Sequence, residues 1–442
     1  PKEMLIFQKC WNHLGQEIQE SLSCFQQIIQ EKEFNPEEGI RHLLAHFNTY
    51  SLDCFGLKGM PAALYAASSL FLYVKEELKI SLSHVTKISS YNLSQFMAID
   101  RATEKHLELL VPLHEKGKTL FSILDETQTP MGARLLKEWL LHPLICVKEI
   151  EKRQENVELF FLENEKREKL HTLLKEIRDI ERLLMRIETG FASARDVVSL
   201  RFSLTPLAEI SSILKLLGKA ALPDLSSIVS LIEKALVSSP PAKLSEGGSF
   251  KKGYHPLLDE LISFKTESHR WIVDYQTKLR EELQIKTLKV SYTHAFGYYI
   301  EVSRGQSGKM PEKFQKKQTL VNTERFISSE LKEFEHKILN AESKIAALET
   351  QLFLELCQKI TLQAATIRQT AQIIAQLDLF VCLAQVARKN NYTKPQLSEE
   401  DHFFIEEGRH PVLELSLKEQ NFIPNDLFLD KQTNRFIILT GP

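Results

Sequence analysis

Glycine and proline are both absent between residues 328 and 394 of this 442-residue chain, although each occurs 16 times in the whole sequence. Because these two residues interrupt helices more often than others do, their absence favours an unbroken helix. A helix of about 60 residues would be roughly 90 Å long. Such a helix is too long for the interior of a compact domain, so we predict an extended helical arm.

Paired cysteines are also missing. The six cysteines lie far apart and form no Cys-x-x-Cys pair, which argues against a zinc site and against a disulfide framework. Cys10 and His13 could supply two metal ligands, but no second pair follows at zinc-finger spacing, so a packed amphipathic helix is the favoured interpretation. We expect no bound metal, and free thiols in a reducing compartment.

No basic and then apolar leader opens the chain. Its longest apolar stretches, such as residues 62–74, are too short and too interrupted to span a bilayer. We therefore expect a cytoplasmic protein that makes no membrane contact. No Met precedes Pro1, and residues 436–440 have the pattern of a buried strand leading directly into Gly441 and Pro442. Both ends suggest a piece of a longer protein.

With 43% hydrophobic and 26% charged residues, the composition is that of a globular protein long enough for several domains. Residues 1–80 mix short helical patterns with turn signals, which suggests part of an α/β unit. From about residue 85 to 237, apolar residues recur every three or four positions, which predicts helices. One helix is clearly bounded at 131–141, since Thr129 can cap it, Pro130 suits its first turn and Pro143 prevents its continuation.

A second arm and a small sheet precede the stretch without glycine. Residues 257–283 keep their apolar side chains on one helical stripe. Residues 288–292 and 298–302 alternate between apolar and polar side chains, which predicts two strands with Gly297 between them. The simplest architecture is an antiparallel pair of long helices joined by a β tip. After Phe326 the pattern becomes a coiled-coil seam of Leu331, Phe334, Ile338, Ala341, Ile345, Leu348 and Leu352.

Positive charge is concentrated between residues 304 and 325, which contain six cations and only two anions, although the whole chain has a formal charge of −2. Cations at the end of a long arm suit contact with a phosphate backbone, because each neutralised phosphate releases counterions. A solvated charged loop is the alternative, and charge alone does not decide between them. The six cations are Arg304, Lys309, Lys313, Lys316, Lys317 and Arg325.

The C-terminal runs 406–413, 422–426 and 436–440 read as strands joined by turns. A strand ending in Gly441 could open a phosphate-binding loop, but the Gly-Lys-Ser/Thr that completes such a loop is absent from this sequence.

No catalytic constellation is evident. His142, His294 and His410 each lack a nearby nucleophile or second ligand and are interpreted as structural. Glu406 and Glu407 are interpreted as an exposed turn rather than as an acid and base pair.

Several blocks in this order resemble the MutS family of DNA mismatch-repair proteins over nearly the whole chain. The first group resembles the family's core: Thr119-Leu-Phe-Ser-Ile-Leu-Asp125, Thr129-Pro-Met-Gly-Ala-Arg-Leu-Leu136, Trp139-Leu-Leu-His-Pro143 and Asp179-Ile-Glu-Arg-Leu183 with Arg195-Asp196. The second resembles its clamp: Phe296-Gly-Tyr-Tyr-Ile-Glu-Val302, Gln318-Thr-Leu-Val-Asn322, Glu324-Arg325-Phe326 and Glu330-Leu-Lys-Glu333. The third resembles the entry to its ATPase domain: Glu407-Gly-Arg-His-Pro-Val412 and Thr440-Gly-Pro442.

The resemblance implies a mainly α, multidomain fold: a helical core with long lever helices, and a small β-rich clamp inserted at their tip. It further implies a partial α/β connector at the N-terminus and the first β-strands of the ATPase domain at the C-terminus. The expected boundaries are 1–84 for the connector, 85–270 and 336–395 for the core and levers, 271–335 for the clamp, and 396–442 for the start of the ATPase.

By the same resemblance, the clamp touches double-stranded DNA without reading its sequence, so the six cations are the DNA-binding candidates. Phe422, Ile423 and Asn425 are expected beside the adenine of a nucleotide, with Gly441 and Pro442 at the start of the Walker A loop. The parent protein is expected to be a homodimeric ATPase that uses ATP and Mg, recognises mispairs or small loops, and works with a MutL-type partner. The chain itself should be neither an ATPase nor a nucleotide binder, since the Walker A Lys and Ser and the Walker B carboxylate are not in this sequence.

Three alternatives stay open. A structural coiled-coil scaffold would leave the basic tip unexplained, and a P-loop enzyme acting alone would need the missing lysine. A recombination-type MutS homologue is the nearer alternative.

Overall fold

The computed structural model describes residues 3–16, 19, 22, 24–30, 36–55, 57, 59–79, 82, 85, 88, 95–114, 117–293, 297–416 and 422–438. The chain forms two compact units. The first comprises Pro1–Leu107, Trp139–Glu151 and Leu397–Glu399, and the second comprises Glu108–Glu138, Lys152–Gln396 and Glu400–Pro442. His294, Gly441 and Pro442 lie outside the described residues, so the expectations placed on them stay predictions.

The first unit opens with a parallel strand pair. Strand β1 (Glu3–Phe7) lies beside β2 (Phe25–Ile29), and helix α1 (Gln8–His13) lies between them in the sequence. Parallel strands require a crossover connection, which is the mark of an α/β unit. Helices α2 (Pro36–His46) and α3 (Pro61–Leu72) follow and enclose a small apolar core. The α/β pattern predicted for residues 1–80 is therefore present.

Short helices make up most of the chain from residue 101 to 235, as the spacing of apolar residues predicts. Their bounds are α4 (Arg101–His106), α5 (Leu120–Leu124), α6 (Pro130–Leu141), α7 (Val147–Leu162), α8 (Asn164–Leu174), α9 (Ile180–Glu188), α10 (Ala194–Leu204), α11 (Leu207–Leu216) and α12 (Ser226–Ala235). Helix α6 begins at Pro130, and the Thr129 hydroxyl accepts the amide hydrogen of Gly132 at 3.0 Å, which confirms the predicted cap.

Three long helices follow, α13 (Pro256–Leu283, 28 residues), α14 (Ser329–Thr361, 33 residues) and α15 (Ala364–Lys389, 26 residues). Two stretches of the described chain, 194–216 and 364–389, are apolar and long enough to cross a membrane, but their most apolar windows are 61% buried within the protein. Helices of this kind commonly form the core of a folded domain. Here the buried residues of α15 join those of α8 to α12 in one apolar core.

Helices α13 and α14 run antiparallel. The indole of Trp271 stacks on the ring of Phe334, with 3.7 Å between ring centroids. Lys265, earlier in α13, pairs with Glu342, later in α14, at 2.9 Å. As residue numbers fall along one helix they rise along its partner, which confirms the predicted hairpin, and all seven residues of the predicted seam are buried or half-buried.

The prediction of one helix through residue 394 is wrong at two places. Helix α14 ends at Thr361 and α15 begins at Ala364, and α15 ends at Lys389. At the break, the Gln363 amide donates to the carbonyl of Ile360 at 3.0 Å, and the Thr361 hydroxyl donates to the carbonyl of Cys357 at 2.9 Å. A backbone hydrogen bond between residues three apart tightens a helix. A hydroxyl that donates to the carbonyl four residues earlier can bend it, so the break needs neither glycine nor proline.

Asp378 joins α15 to the start of α6. Its side chain is 1% exposed, and its carboxylate accepts the amide hydrogen of Gln128 at 3.0 Å and that of Thr129 at 2.7 Å. The Thr129 hydroxyl donates to it at 2.7 Å. A Cβ at position 132 would lie 2.3 Å from this carboxylate, so Gly132 is needed for the close approach.

A bidentate ion pair ties α6 to α9 nearby. Arg134 donates to the two carboxylate oxygens of Asp179 at 2.6 and 2.9 Å. Burial is the largest single influence and acts to raise the pKa of Asp179, but the hydrogen bonds from Arg134 and from the Arg182 amide, together with both positive charges, hold the pKa below its usual value.

Four strands lie between α13 and α14, where the sequence predicted two. They are β3 (Lys289–Thr293), β4 (Gly297–Ser303), β5 (Gln315–Thr319) and β6 (Thr323–Ile327), in the antiparallel order β3-β4-β6-β5. We call residues 284–328 the tip. Strand β5 was missed because its five residues, Gln-Lys-Lys-Gln-Thr, contain no apolar side chain and so show no alternation.

The C-terminal region differs from its prediction. Strand β7 (His402–Gly408) pairs antiparallel with β8 (Asn425–Asp430), but residues 411–413 belong to helix α16 (Pro411–Ser416), because Pro411 suits the first turn of a helix. Residues 436–438 are exposed and lie outside the described strands, contrary to the predicted buried strand. None of those strands pairs with them, and a strand needs a neighbour for its backbone hydrogen bonds.

Candidate nucleic-acid interface

The tip has an apolar core of its own, separate from the core of the helical body. Ile300 and Val302 of β4 and Phe326 of β6 face Tyr275 and Leu331 of the two long helices. Side chains alternate between the two faces of a strand, so one face of this sheet is buried against the helices. The small sheet is thereby fixed to the ends of both arms.

Two further contacts fix the junction of the tip and the arms. The hydroxyls of Tyr275 and Ser328 are 2.9 Å apart, and Ser328 caps α14 by accepting the amide hydrogen of Leu331 at 3.1 Å. Gly297 begins β4 with φ +71°, and a Cβ there would lie 1.9 Å from the carboxylate of Glu335. The positive φ favours glycine here, since other residues adopt it only with strain, whereas the Glu335 carboxylate is the end of a flexible side chain.

Five of the six predicted cations have exposed side chains in the tip. Arg304 and Lys309 bound a short 3-10 segment (Arg304–Lys309) that follows β4, and Lys313 lies just before β5. Lys316 and Lys317 lie on β5, which is an edge strand of the sheet. The structure therefore brings together residues that are separated by up to 13 positions in sequence.

Lys316 differs from its neighbours because its ammonium group already forms an ion pair with a carboxylate. Its ammonium group donates to Glu324 of β6 at 2.6 Å, with the lysine side chain 49% exposed and the glutamate side chain 9% exposed. The hydrogen bond from Lys316 lowers the pKa of Glu324, and the Ser307 hydroxyl and the charge of Arg304 act in the same direction. Glu324 is therefore ionised at neutral pH.

Arg325 is held within the sheet. Its side chain is 19% exposed, and it donates to Gln318 at 2.9 Å and to Glu301 at 3.4 Å. Its guanidinium carbon lies 4.3 Å from the ring centroid of Tyr299, a cation–π geometry. Arg325 stabilises the outer face of the sheet and offers little charge to solvent.

The other four cations, Arg304, Lys309, Lys313 and Lys317, have no carboxylate of a described residue within 4.0 Å. Two more exposed lysines, Lys286 and Lys289, belong to the tip but were missed, because the charge count began at residue 304. A count over the whole segment between the two long helices would have included them.

Three of the five predicted nucleotide-binding residues, Phe422, Ile423 and Asn425, are among the described residues and lie just before or at the start of β8. Ile423 is 76% exposed, and the side-chain amide of Asn425 donates to the carbonyl of Ile423 at 3.2 Å. Phe422 is half-buried. Among the described residues, no group of three or more His, Cys, Asp or Glu side chains is arranged to hold a metal ion.

The fold and this surface define a class of protein. It is mostly helical, and two of its long helices run antiparallel and hold a small basic sheet. The family model of MutS domain III matches residues 102–384. This range spans the helices of the body, both arms and the tip. The chain is 41% identical to the DNA mismatch repair protein MutS of Protochlamydia amoebophila over 438 residues, with 97% of this chain and 51% of that protein covered.

Other relatives agree. The MutS proteins of Methanosarcina barkeri and Salinibacter ruber are each 38% identical, and the matches cover 94% and 100% of this chain and 48% and 50% of those proteins. The chain therefore belongs to the MutS family, as the resemblance of its motifs indicated. It spans about half the length of the curated relatives it matches.

Proposed function

We propose that the chain supplies the part of a mismatch-repair protein that grips the backbone of double-stranded DNA and links that grip to the rest of the molecule. The tip serves as the clamp, and α13, α14 and α15 serve as levers. The observation that carries the proposal is the set of four exposed cations, Arg304, Lys309, Lys313 and Lys317, in a tip whose sheet is fixed to both arms.

Charge and shape both favour the phosphate backbone over base readout. The cations are on a 3-10 segment, a turn and an edge strand, and none of these is a helix that could enter the major groove. Lysine and arginine contacts to phosphates add affinity without sequence information. The relatives are named DNA mismatch repair proteins, and repair of mispairs requires binding at many sequences, which backbone contact allows.

The remaining activities belong, in this proposal, to the longer protein. ATP and Mg would be bound there with the help of Phe422, Ile423, Asn425, Gly441 and Pro442, and ATP hydrolysis would require residues outside this sequence. Recognition of mispairs or small loops, homodimer formation and a MutL-type partner belong to the same proposal, as does a cytoplasmic location. Long rigid helices suit the coupling of DNA contact to nucleotide state, since both ends can bias one arrangement of the lever.

The test is the salt dependence of DNA binding. The Lys313→Gln/Lys317→Gln variant should bind a mismatched duplex roughly tenfold or more weakly, and the slope of log K against log salt should fall by about two, because each lost phosphate contact removes about 0.9. Lys215→Gln is the matched control, since Lys215 is an exposed lysine of α11. Equal affinities and equal slopes for the three proteins would refute the proposal and favour a scaffold role.

A further inference from the structure

We propose that Glu324 limits the strength of the DNA grip by holding Lys316 away from phosphate contact. The inference rests on the proposed function of the tip. Of the two adjacent lysines on β5, Lys317 then binds phosphate, whereas the charge of Lys316 is already neutralised within the protein.

The sheet dictates this difference. In the pairing of β5 with β6, Lys316 lies opposite Phe326 and Gln318 lies opposite Arg325, so the strand bulges at Lys317. A bulge leaves one residue without a cross-strand partner and changes the direction of its side chain. Lys317 is therefore the unpaired residue of an exposed edge, whereas its neighbour remains in register.

Glu324 is placed to capture that neighbour. It is one of the few charged side chains that the structure buries, and it lies on β6 opposite Val302 of β4. A buried carboxylate needs a partner because its hydration has been lost. The Lys316 ammonium at 2.6 Å supplies it, so moving this ammonium to a phosphate would leave the carboxylate buried without its cation.

The consequence for DNA concerns counterions. A lysine neutralised by a carboxylate has no uncompensated charge with which to replace the ions condensed on DNA, so it contributes little to the salt-dependent part of binding. Replacing Glu324 with neutral glutamine would release Lys316 and add one phosphate contact. The wild-type carboxylate thus keeps the grip weaker than the number of cations in the tip would allow.

Four variants of the full chain test the inference by titration of a duplex at several salt concentrations. Lys317→Gln should weaken binding roughly eightfold near 0.1 M salt and lower the slope by about 0.9. Lys316→Gln should change affinity by less than about twofold. Glu324→Gln should tighten binding roughly eightfold and raise the slope by about 0.9, and the double variant Lys316→Gln/Glu324→Gln should remove that gain.

Glu312→Gln is the matched control for net charge, because Glu312 is the other acid between residues 304 and 325 and is exposed. It should tighten binding less than Glu324→Gln and leave the slope near the wild-type value. Lys316→Gln alters an exposed side chain and keeps an amide donor that can still hydrogen-bond the Glu324 carboxylate, so its result stands even if a change at the carboxylate itself disturbs the fold.

Two results separate the possible failures. If Lys316→Gln weakens binding as much as Lys317→Gln does, Lys316 contacts phosphate and the inference is overturned while the tip remains the DNA-binding surface. If neither Lys317→Gln nor the Lys313→Gln/Lys317→Gln variant weakens binding, the proposed function fails first.

Discussion

Removal of the Asp378 carboxylate should loosen the attachment of α15 to the start of α6. In the Asp378→Ala variant, the amides of Gln128 and Thr129 and the hydroxyl of Thr129 lose their acceptor at a position that is 1% exposed in the wild type. Each buried donor without a partner costs about 1–3 kcal/mol. The three together would cost about 3–9 kcal/mol if nothing compensated.

Part of that cost is offset. Burial raises the pKa of Asp378, while the hydrogen bonds from Gln128 and Thr129 act in the opposite direction, so loss of the buried charge itself favours the variant. We expect a net loss of about 3 kcal/mol in the free energy of unfolding of the second unit, at the lower end of the range. The Asp378→Asn variant keeps the volume but turns one acceptor into a donor, and should lose about 2 kcal/mol.

Amide hydrogen exchange is the sharpest assay, because a chain with two units need not unfold in one step. A loss of about 3 kcal/mol lowers protection roughly a hundredfold, since about 1.4 kcal/mol corresponds to a factor of ten. The amides of Thr129 and Gly132 should show this change, and a urea midpoint followed by circular dichroism should fall with it. Asp274→Ala, at an exposed position of α13, is the control and should stay within about 0.5 kcal/mol of the wild type. A loss below 1 kcal/mol in Asp378→Ala would refute the assignment of Asp378 as the joint.

Three further predictions concern other parts of the chain. Gly297→Ala should destabilise the tip by the roughly 1–2 kcal/mol of a left-handed residue, because the Glu335 carboxylate that a Cβ would meet is the end of a flexible side chain and can move aside. Glu335→Ala in the same chain should therefore recover little of the loss, and full recovery in an unfolding titration would contradict the backbone argument. Because the pKa of Asp179 is lowered in the folded state, its ion pair adds stability above about pH 4 that is lost as pH falls through the folded pKa. An Asp179→Asn chain whose acid-unfolding curve parallels that of the wild type would exclude this contribution of the ion pair. Burial raises the pKa of Cys357 to about 11 and of Cys382 to about 12, so neither thiol should react with a thiolate-specific reagent at pH 8 until the protein unfolds, and prompt labelling of either would show that the core opens.

Local patterns predicted the helical hairpin well. The first arm was expected at residues 257–283 and is found at Pro256–Leu283, since a single apolar stripe depends only on neighbouring residues. The helix after Thr129 was predicted for the same reason. The strands on either side of Gly297 were also predicted, because their apolar residues alternate and one face is buried.

The features that could not be predicted from the sequence depend on contacts between distant residues. The break after Thr361 carries no glycine or proline, and strand β5 exists only because β6 offers it a partner. Likewise, six cations within 22 positions looked equivalent in a charge count. Burial of Glu324 distinguishes Lys316, and the placement of Tyr299 distinguishes Arg325. Neither fact can be derived from spacing along the chain.

Helix α14 is anchored near both of its ends. Leu331 is buried in the apolar core of the tip, and Leu356 is buried in the core of the body. Twenty-five positions separate them, so at about 100° per residue they lie within roughly 20° of the same side of the helix. A roll about the helix axis that lifts one leucine from its pocket must therefore disturb the other, and the two ends can change their packing only together unless the intervening turns twist.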